Sequence, residues 1–153
     1  MPQRIVPLAD VPQFIDVCAT WAFEQWGSQH GGTLEQARQR FRLCARQSAD
    51  HATLLMVAGP TPLAMASLWP SDDHHRMPLS PWLTGLFVHP DYRRQGIAQR
   101  LTQAIERLAR QRHYPALYLK TDSAEMLYAR WGWQAIERRT QPGGNVVIMV
   151  KRL

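Results

Sequence analysis

Trp82-Leu83-Thr84-Gly85-Leu86-Phe87-Val88, then His89-Pro90-Asp91-Tyr92, then Arg93-Arg94-Gln95-Gly96-Ile97-Ala98: this stretch governs the architecture. An apolar run of strand length is broken at His89-Pro90, and from Gly96 the residues Ile97, Leu101, Ala104, Ile105 and Leu108 fall on one face of a helix. Ala116 to Leu119 is again a short apolar run. Strand, helix, strand at this spacing predicts a parallel pair, because only a crossover helix joins parallel neighbours.

Upstream, Ala52 to Ala58 and Leu63 to Trp69 flank Gly59-Pro60-Thr61-Pro62, the pattern of an antiparallel hairpin. The polar segment Pro70 to Pro78 then predicts a loop. Further back, Asp10-Val11-Pro12-Gln13 and Thr33-Leu34-Glu35-Gln36 both read as capping boxes, each opening an amphipathic helix. A weak first strand is expected near Ile5. Downstream, Asp122-Ser123-Ala124-Glu125 begins a short helix through about Arg130, and Trp133–Arg139 with Val146–Lys151 form a hairpin around Pro142-Gly143-Gly144. The expectation is a single α+β domain over residues 1–153: a mixed, twisted sheet of six to seven strands containing one parallel pair, flanked by four helices.

Composition agrees with a packed core. The 153 residues are 45% hydrophobic and 20% charged, with six tryptophans, which excludes a disordered or fibrous chain. No apolar run reaches the ~20 residues of a membrane span, and no signal-peptide core follows Met1, so a cytoplasmic protein is expected. Cys18 and Cys44 are too few for a disulfide framework or a four-thiolate zinc site and read as free, buried thiols. The net charge is +6, and the arginines concentrate between Arg93 and Arg112, where Glu106 is the one acid. An anionic ligand is expected to dock there.

Gly96 opens a helix whose first backbone N–H groups have no internal partner and whose dipole points its positive end outward. Small residues at Gly96 and Ala98 let phosphate oxygens approach those amides, and Arg93 and Arg94 raise the local potential. Neither the Walker loop nor the Gly-x-Gly-x-x-Gly turn is present.

The pattern Arg/Gln-x-x-Gly-x-Gly/Ala after Val88-His89-Pro90 resembles the coenzyme A pyrophosphate loop of the GNAT superfamily of N-acyltransferases. Leu127-Tyr128-Ala129-Arg130-Trp131-Gly132-Trp133 looks like that family's Leu-Tyr-x-x-x-Gly-Phe signature with tryptophan for phenylalanine. Pro81-Trp82-Leu83, entering the strand, is similar to a bacterial branch whose acceptors are mostly unassigned. The resemblance implies a splayed strand pair whose gap takes the pantetheine arm against Leu86, Phe87 and Val88, with Arg93, Arg94, Gln95, Gly96, Ile97 and Ala98 around the pyrophosphate. It implies Tyr128 as the acid for the departing thiolate. Thr121 stands where the family commonly has an asparagine, seven residues before the tyrosine.

The implied activity is direct acetyl transfer from acetyl-CoA to a primary amine, with no metal. Asp73 is the first candidate base, followed by Asp72, His74, His75 and Glu24, with Trp82, Glu24 and Asp72 expected at the acceptor site. Few acids flank that site, which disfavours a polycation; a small amine or a peptide N-terminus stays open. A homodimer is common for the family. Two other classes fit the same chain less well: a non-catalytic coenzyme A sensor, and a nucleic-acid binder motivated by the basic charge but lacking aromatic-interleaved basic strands. No membrane partner is expected.

Overall fold

Ala52–Ala58 is apolar throughout because both of its faces are covered. Leu54 and Met56 pack on the side of the long helix, while Leu55 and Val57 pack on the side of the two N-terminal helices. This strand is β2 of a single seven-stranded sheet in a computed structural model that describes residues 1–73, 76 and 78–153. The others are β1 (Gln3–Pro7), β3 (Thr61–Trp69), β4 (Trp82–Val88), β5 (Ala116–Thr121), β6 (Gln134–Gln141) and β7 (Gly144–Arg152). Helices α1 (Ile15–Gln25), α2 (Leu34–Arg46), α3 (Ile97–Gln111) and α4 (Glu125–Arg130) complete the fold.

The strand order is β1-β2-β3-β4-β5-β7-β6. Neighbours are antiparallel except β4 and β5, the parallel pair joined by α3. The α+β class and the mixed sheet therefore match the reading of the sequence.

Two apolar layers sandwich the sheet. Ile97, Leu101, Ile105 and Ala109 of α3 press on Leu117 and Leu119 of β5, and Trp21, Phe41, Cys18 and Cys44 of α1 and α2 press on the opposite face. Both cysteines are free and buried. Thr53 and Ser67, buried between strands on the α2 side, satisfy each other through a 2.6 Å hydroxyl contact.

The second capping box forms as expected: the Gln36 N–H donates to the Thr33 hydroxyl and the Thr33 N–H donates to the Gln36 side chain. The first does not. Leu8–Asp10 and Pro12–Phe14 form 3-10 turns, and α1 starts only at Ile15 with no side-chain cap. Burial of Leu8 beneath the helices holds the chain in this tighter path. The hairpins also extend closer to their turns than the apolar pattern alone indicated, β3 starting at Thr61 and β7 at Gly144.

Candidate active site

The parallel pair is held together at one end and open at the other. β4 and β5 are in register at Trp82 and Tyr118, where the Tyr118 N–H donates to the Pro81 carbonyl at 3.1 Å, and no further ladder pair joins them. A bulge causes the divergence. Between Met65 and Ser67 of β3 the register on β4 jumps from Phe87 to Thr84, and Gly85 sits there at φ +64°. The extra residue bends β4 away from β5. Gly85, a glycine inside an apolar strand, is the mark of this bulge in the sequence.

The gap opens into a cavity of about 710 Å³. Its walls are Leu83 to Leu86 of β4, Leu119 to Thr121 of β5, Tyr128 of α4, the α1–α2 connection and the β6–β7 turn. Leu86 lies on this wall. Phe87 points the other way, its ring 5.2 Å from that of Trp21. The His89 N–H donates to the Leu63 carbonyl on the β3 side, so strand alternation turns the Val88 N–H toward the gap.

Beyond β4 a 3-10 turn, Pro90–Tyr92, leads into the arginine loop. Arg94 at φ +64° and Gly96 at φ +78° adopt left-handed backbone, which folds the loop into a concave turn ahead of α3. Gly96 is the N-cap, and the first helical bond, Arg100 N–H to Gly96 carbonyl, leaves the N–H groups of Ile97, Ala98 and Gln99 without helical partners. A Cβ at Gly96 would meet nothing within 4 Å, so the mouth of the turn is open. Ile97, 1% exposed, anchors it in the core. Gln95 is tied to Gln3 of β1, which also accepts from Arg100. Arg93 turns back, its Nε donating to the Val88 carbonyl at 2.9 Å, so its guanidinium braces the end of β4.

The Tyr128 segment is a helix stop built around Gly132. The Trp133 N–H donates to the Tyr128 carbonyl and the Gly132 N–H to the Ala129 carbonyl, with Gly132 at φ +93°, which together make a Schellman ending. The hydrophobic contact that accompanies such endings is Tyr128 against Trp133, ring centres 6.1 Å apart, with Trp131 edge-on at 5.5 Å. Trp133 in turn donates its indole N–H to buried Glu106 of α3 at 3.3 Å, and Lys151 pairs with the same carboxylate at 3.1 Å while donating to the Trp131 carbonyl. The phenol is therefore held from three elements, and burial pushes its pKa up to about 12. Glu106 and Lys151 in this bracket were not anticipated as site supports.

At the closed end of the cavity stand Asp72, Arg40 of α2, Thr84 of β4 and Lys120 of β5. Arg40 lies 4.3 Å above the Trp69 ring and donates to the Thr84 hydroxyl at 3.4 Å. Burial raises the Asp72 carboxyl above its ordinary range, and the charges of Lys120 and Arg40 pull it only partly back.

Asp73, by contrast, is buried in an ion pair with Arg139 of β6 and is absent from the cavity wall. Trp82 is fully buried, donating its indole N–H to the Leu79 carbonyl at 2.6 Å, and likewise forms none of the wall. Glu24 lines a separate, smaller cavity with Trp21, Phe87 and Arg93. The Thr121 hydroxyl accepts from the Ser123 and Ala124 N–H groups and shapes the entry to α4. His74 and His75 lie outside the described residues.

A splayed parallel pair with a left-handed loop at one mouth and a bracketed tyrosine beside it defines an acyltransferase fold. The chain belongs to the acetyltransferase (GNAT) family, whose pattern matches residues 15–133. No curated protein matches in sequence. Among solved structures it is similar to an aminoglycoside 6'-N-acetyltransferase complexed with coenzyme A (TM-score 0.78, 13% identity, covering 97% of this chain and 96% of that one). It is similar also to a ribosomal-protein-alanine N-acetyltransferase from Brucella melitensis (0.73, 18%, all of both chains). A third is a Salmonella typhimurium protein with acetyl-CoA bound (0.72, 14%, 100% and 94%). The described residues include no helix long and apolar enough to cross a membrane.

Proposed function

We propose that this protein is an N-acetyltransferase that uses acetyl-CoA and acetylates a small amine by direct attack, without an acyl-enzyme intermediate. The observation that carries the reading is the Tyr128 phenol on the wall of the β4–β5 gap, downstream of a concave loop with free helix-start amides. That loop suits a diphosphate: its backbone is already left-handed at Arg94 and Gly96, and its mouth is open. Acetyl-CoA supplies a thioester whose carbonyl carbon takes the amine nitrogen while the C–S bond breaks.

The residues then divide the work. The Val88 N–H, facing the gap, stabilises the developing oxyanion. Asp72, on the cavity wall and raised by burial, receives the proton lost by the amine, directly or through a water. It is better placed than Asp73, whose carboxylate is held by Arg139. Tyr128 gives its proton to the departing sulfur and regains one from solvent. A phenol at about 12 is fully protonated at neutral pH. Transfer to a free thiolate of pKa ~8.5 would be uphill by about 5 kcal/mol, but the burial that raises the phenol also raises the thiol, which narrows that gap.

Calorimetric titration with acetyl-CoA tests the reading. Saturable micromolar binding is expected, and absence of binding at millimolar ligand removes it.

A further inference from the structure

The closed end of the cavity holds more positive than negative charge. Trp82 and Tyr118 are in parallel register, so Thr84 and Lys120 stand opposite each other two residues further along, below the level of Leu86. Tyr118 and Lys120 project from β5 away from the α3 side that buries Leu117 and Leu119, and so toward α2. Arg40 reaches the same place from α2, fixed by the Trp69 face and the Thr84 hydroxyl. The acid that joins them at the level of Thr84 is Asp72; Asp122, also on the wall and exposed as Lys120 is, lies two residues further along the chain toward the mouth.

Among the described residues neither Arg40 nor Lys120 has a carboxylate oxygen within ion-pair distance, 4.0 Å. Besides the Trp69 ring and one weak hydroxyl contact, this half-buried guanidinium feels the charge of Asp72 only from beyond ion-pair distance, so an incoming anion gains both Coulomb energy and hydrogen bonds. At the closed end two cations face one carboxylate, Asp72, the second acid of the wall, Asp122, lying nearer the mouth. The reactive form of an amino acid, with a neutral amine and an ionised carboxylate, brings the missing negative charge; a polycation brings more of what is already in surplus.

We propose that the acceptor is a small amino acid-like molecule, its carboxylate held by Arg40 and Lys120 while its amine faces Asp72 and the thioester. This rests on the acetyl-transfer reading above and names its substrate class. The order of events is unchanged: the N–C bond forms, the C–S bond breaks, the amine proton leaves through Asp72, and the thiol takes its proton from Tyr128.

The test is thiol release from acetyl-CoA with the proteinogenic amino acids, β-alanine and 4-aminobutyrate, each paired with its own carboxamide. The expected result is at least one acid favoured tenfold or more in kcat/KM over its amide. Arg40→Gln and Lys120→Gln should each reduce that ratio at least fivefold through KM for the acid, while the affinity for acetyl-CoA stays within twofold. Lys120 is exposed, so its variant keeps the test valid should the Arg40 variant not fold. Amides turned over as well as acids, an unchanged ratio in the Lys120 variant, or no turnover of any pair by protein that binds acetyl-CoA overturns the inference and leaves the donor reading standing. Failure to bind acetyl-CoA is the separate outcome that removes the functional reading itself.

Discussion

The two ends of the β4–β5 gap are built from different materials. At the open mouth the groups on offer are backbone: left-handed Arg94 and Gly96, the free N–H groups at the start of α3, and the Val88 N–H presented by strand alternation. At the closed end they are side chains carried by separate elements, with Arg40 on α2, Asp72 in the loop before β4, Thr84 on β4 and Lys120 on β5. A backbone cradle tolerates exchange of most side chains but is tied to one local sequence. A side-chain cluster can be altered one residue at a time, so on the proposed reading the donor end is suited to constancy and the acceptor end to change.

The sharpest way to break this contrast is at Tyr128, which stands between the two ends. Tyr128→Phe removes only the hydroxyl and keeps the ring contacts with Trp131 and Trp133. Turnover should fall about a hundredfold or more, the scale of general-acid catalysis, with acetyl-CoA affinity within twofold. Turnover in the wild type should also show no alkaline decline from this group below about pH 10, because the phenol titrates near 12. A mutant with wild-type turnover would mean that solvent protonates the sulfur.

Asp72→Asn probes the closed end and should separate activity from stability. Activity should drop roughly tenfold to a hundredfold, with the acidic limb of the pH–rate profile lost. Stability should move the other way. A carboxyl whose folded pKa is raised contributes stability that is present below its ordinary pKa and is lost as pH rises through the raised value. Relative to the unfolded chain, burial of this carboxyl costs stability above its ordinary pKa, a cost that asparagine removes, so thermal unfolding should show a higher Tm for the variant at neutral pH and convergence near pH 3. A lower Tm at neutral pH would mean that the attraction of Lys120 and Arg40 outweighs burial.

Arg94→Glu tests how far the mouth depends on backbone alone. Reversing this charge beside a bound diphosphate should weaken coenzyme A about tenfold at low salt and progressively less as salt is raised. Affinity that stays unchanged at every ionic strength would assign all the binding to the amides.

The same contrast explains what could be read in advance. The mouth and the tyrosine segment were legible because each is local: Gly96 two residues before Ala98, and Tyr128 four before Gly132, a spacing that a Schellman ending requires. The closed end was not, because Arg40 and Lys120 are 80 positions apart and meet only because α2 packs on β2 and Arg40 reaches past Trp69 of β3 to Thr84 of β4. Asp72 and Asp73 show the limit most clearly. They are adjacent in sequence, yet one lines the cavity and the other is consumed by Arg139 on a strand that forms much later in the chain. The Asp10 box failed for a related reason, since burial of Leu8 set the path of the chain before a local cap could.

Thr121 lies where the two kinds of construction meet, at the end of β5 and the start of the α4 segment, and its substitution should have the smallest effect. Its hydroxyl accepts from the Ser123 N–H at 3.4 Å and the Ala124 N–H at 3.0 Å, a capping arrangement that holds the turn carrying Tyr128. Thr121→Val keeps the shape and removes the acceptor, at a cost of about 1 kcal/mol, the usual size of a lost cap. A lower Tm with unchanged acetyl-CoA affinity identifies the hydroxyl as a cap. Thr121→Asn then discriminates further, because an asparagine side chain also accepts from the following N–H groups. It should restore the Tm, and a gain in cofactor affinity over wild type would show that this position touches the cofactor when its side chain is long enough. Equal affinity in all three proteins would place Thr121 with the scaffold, leaving the cofactor to the backbone of β4 and the loop before α3.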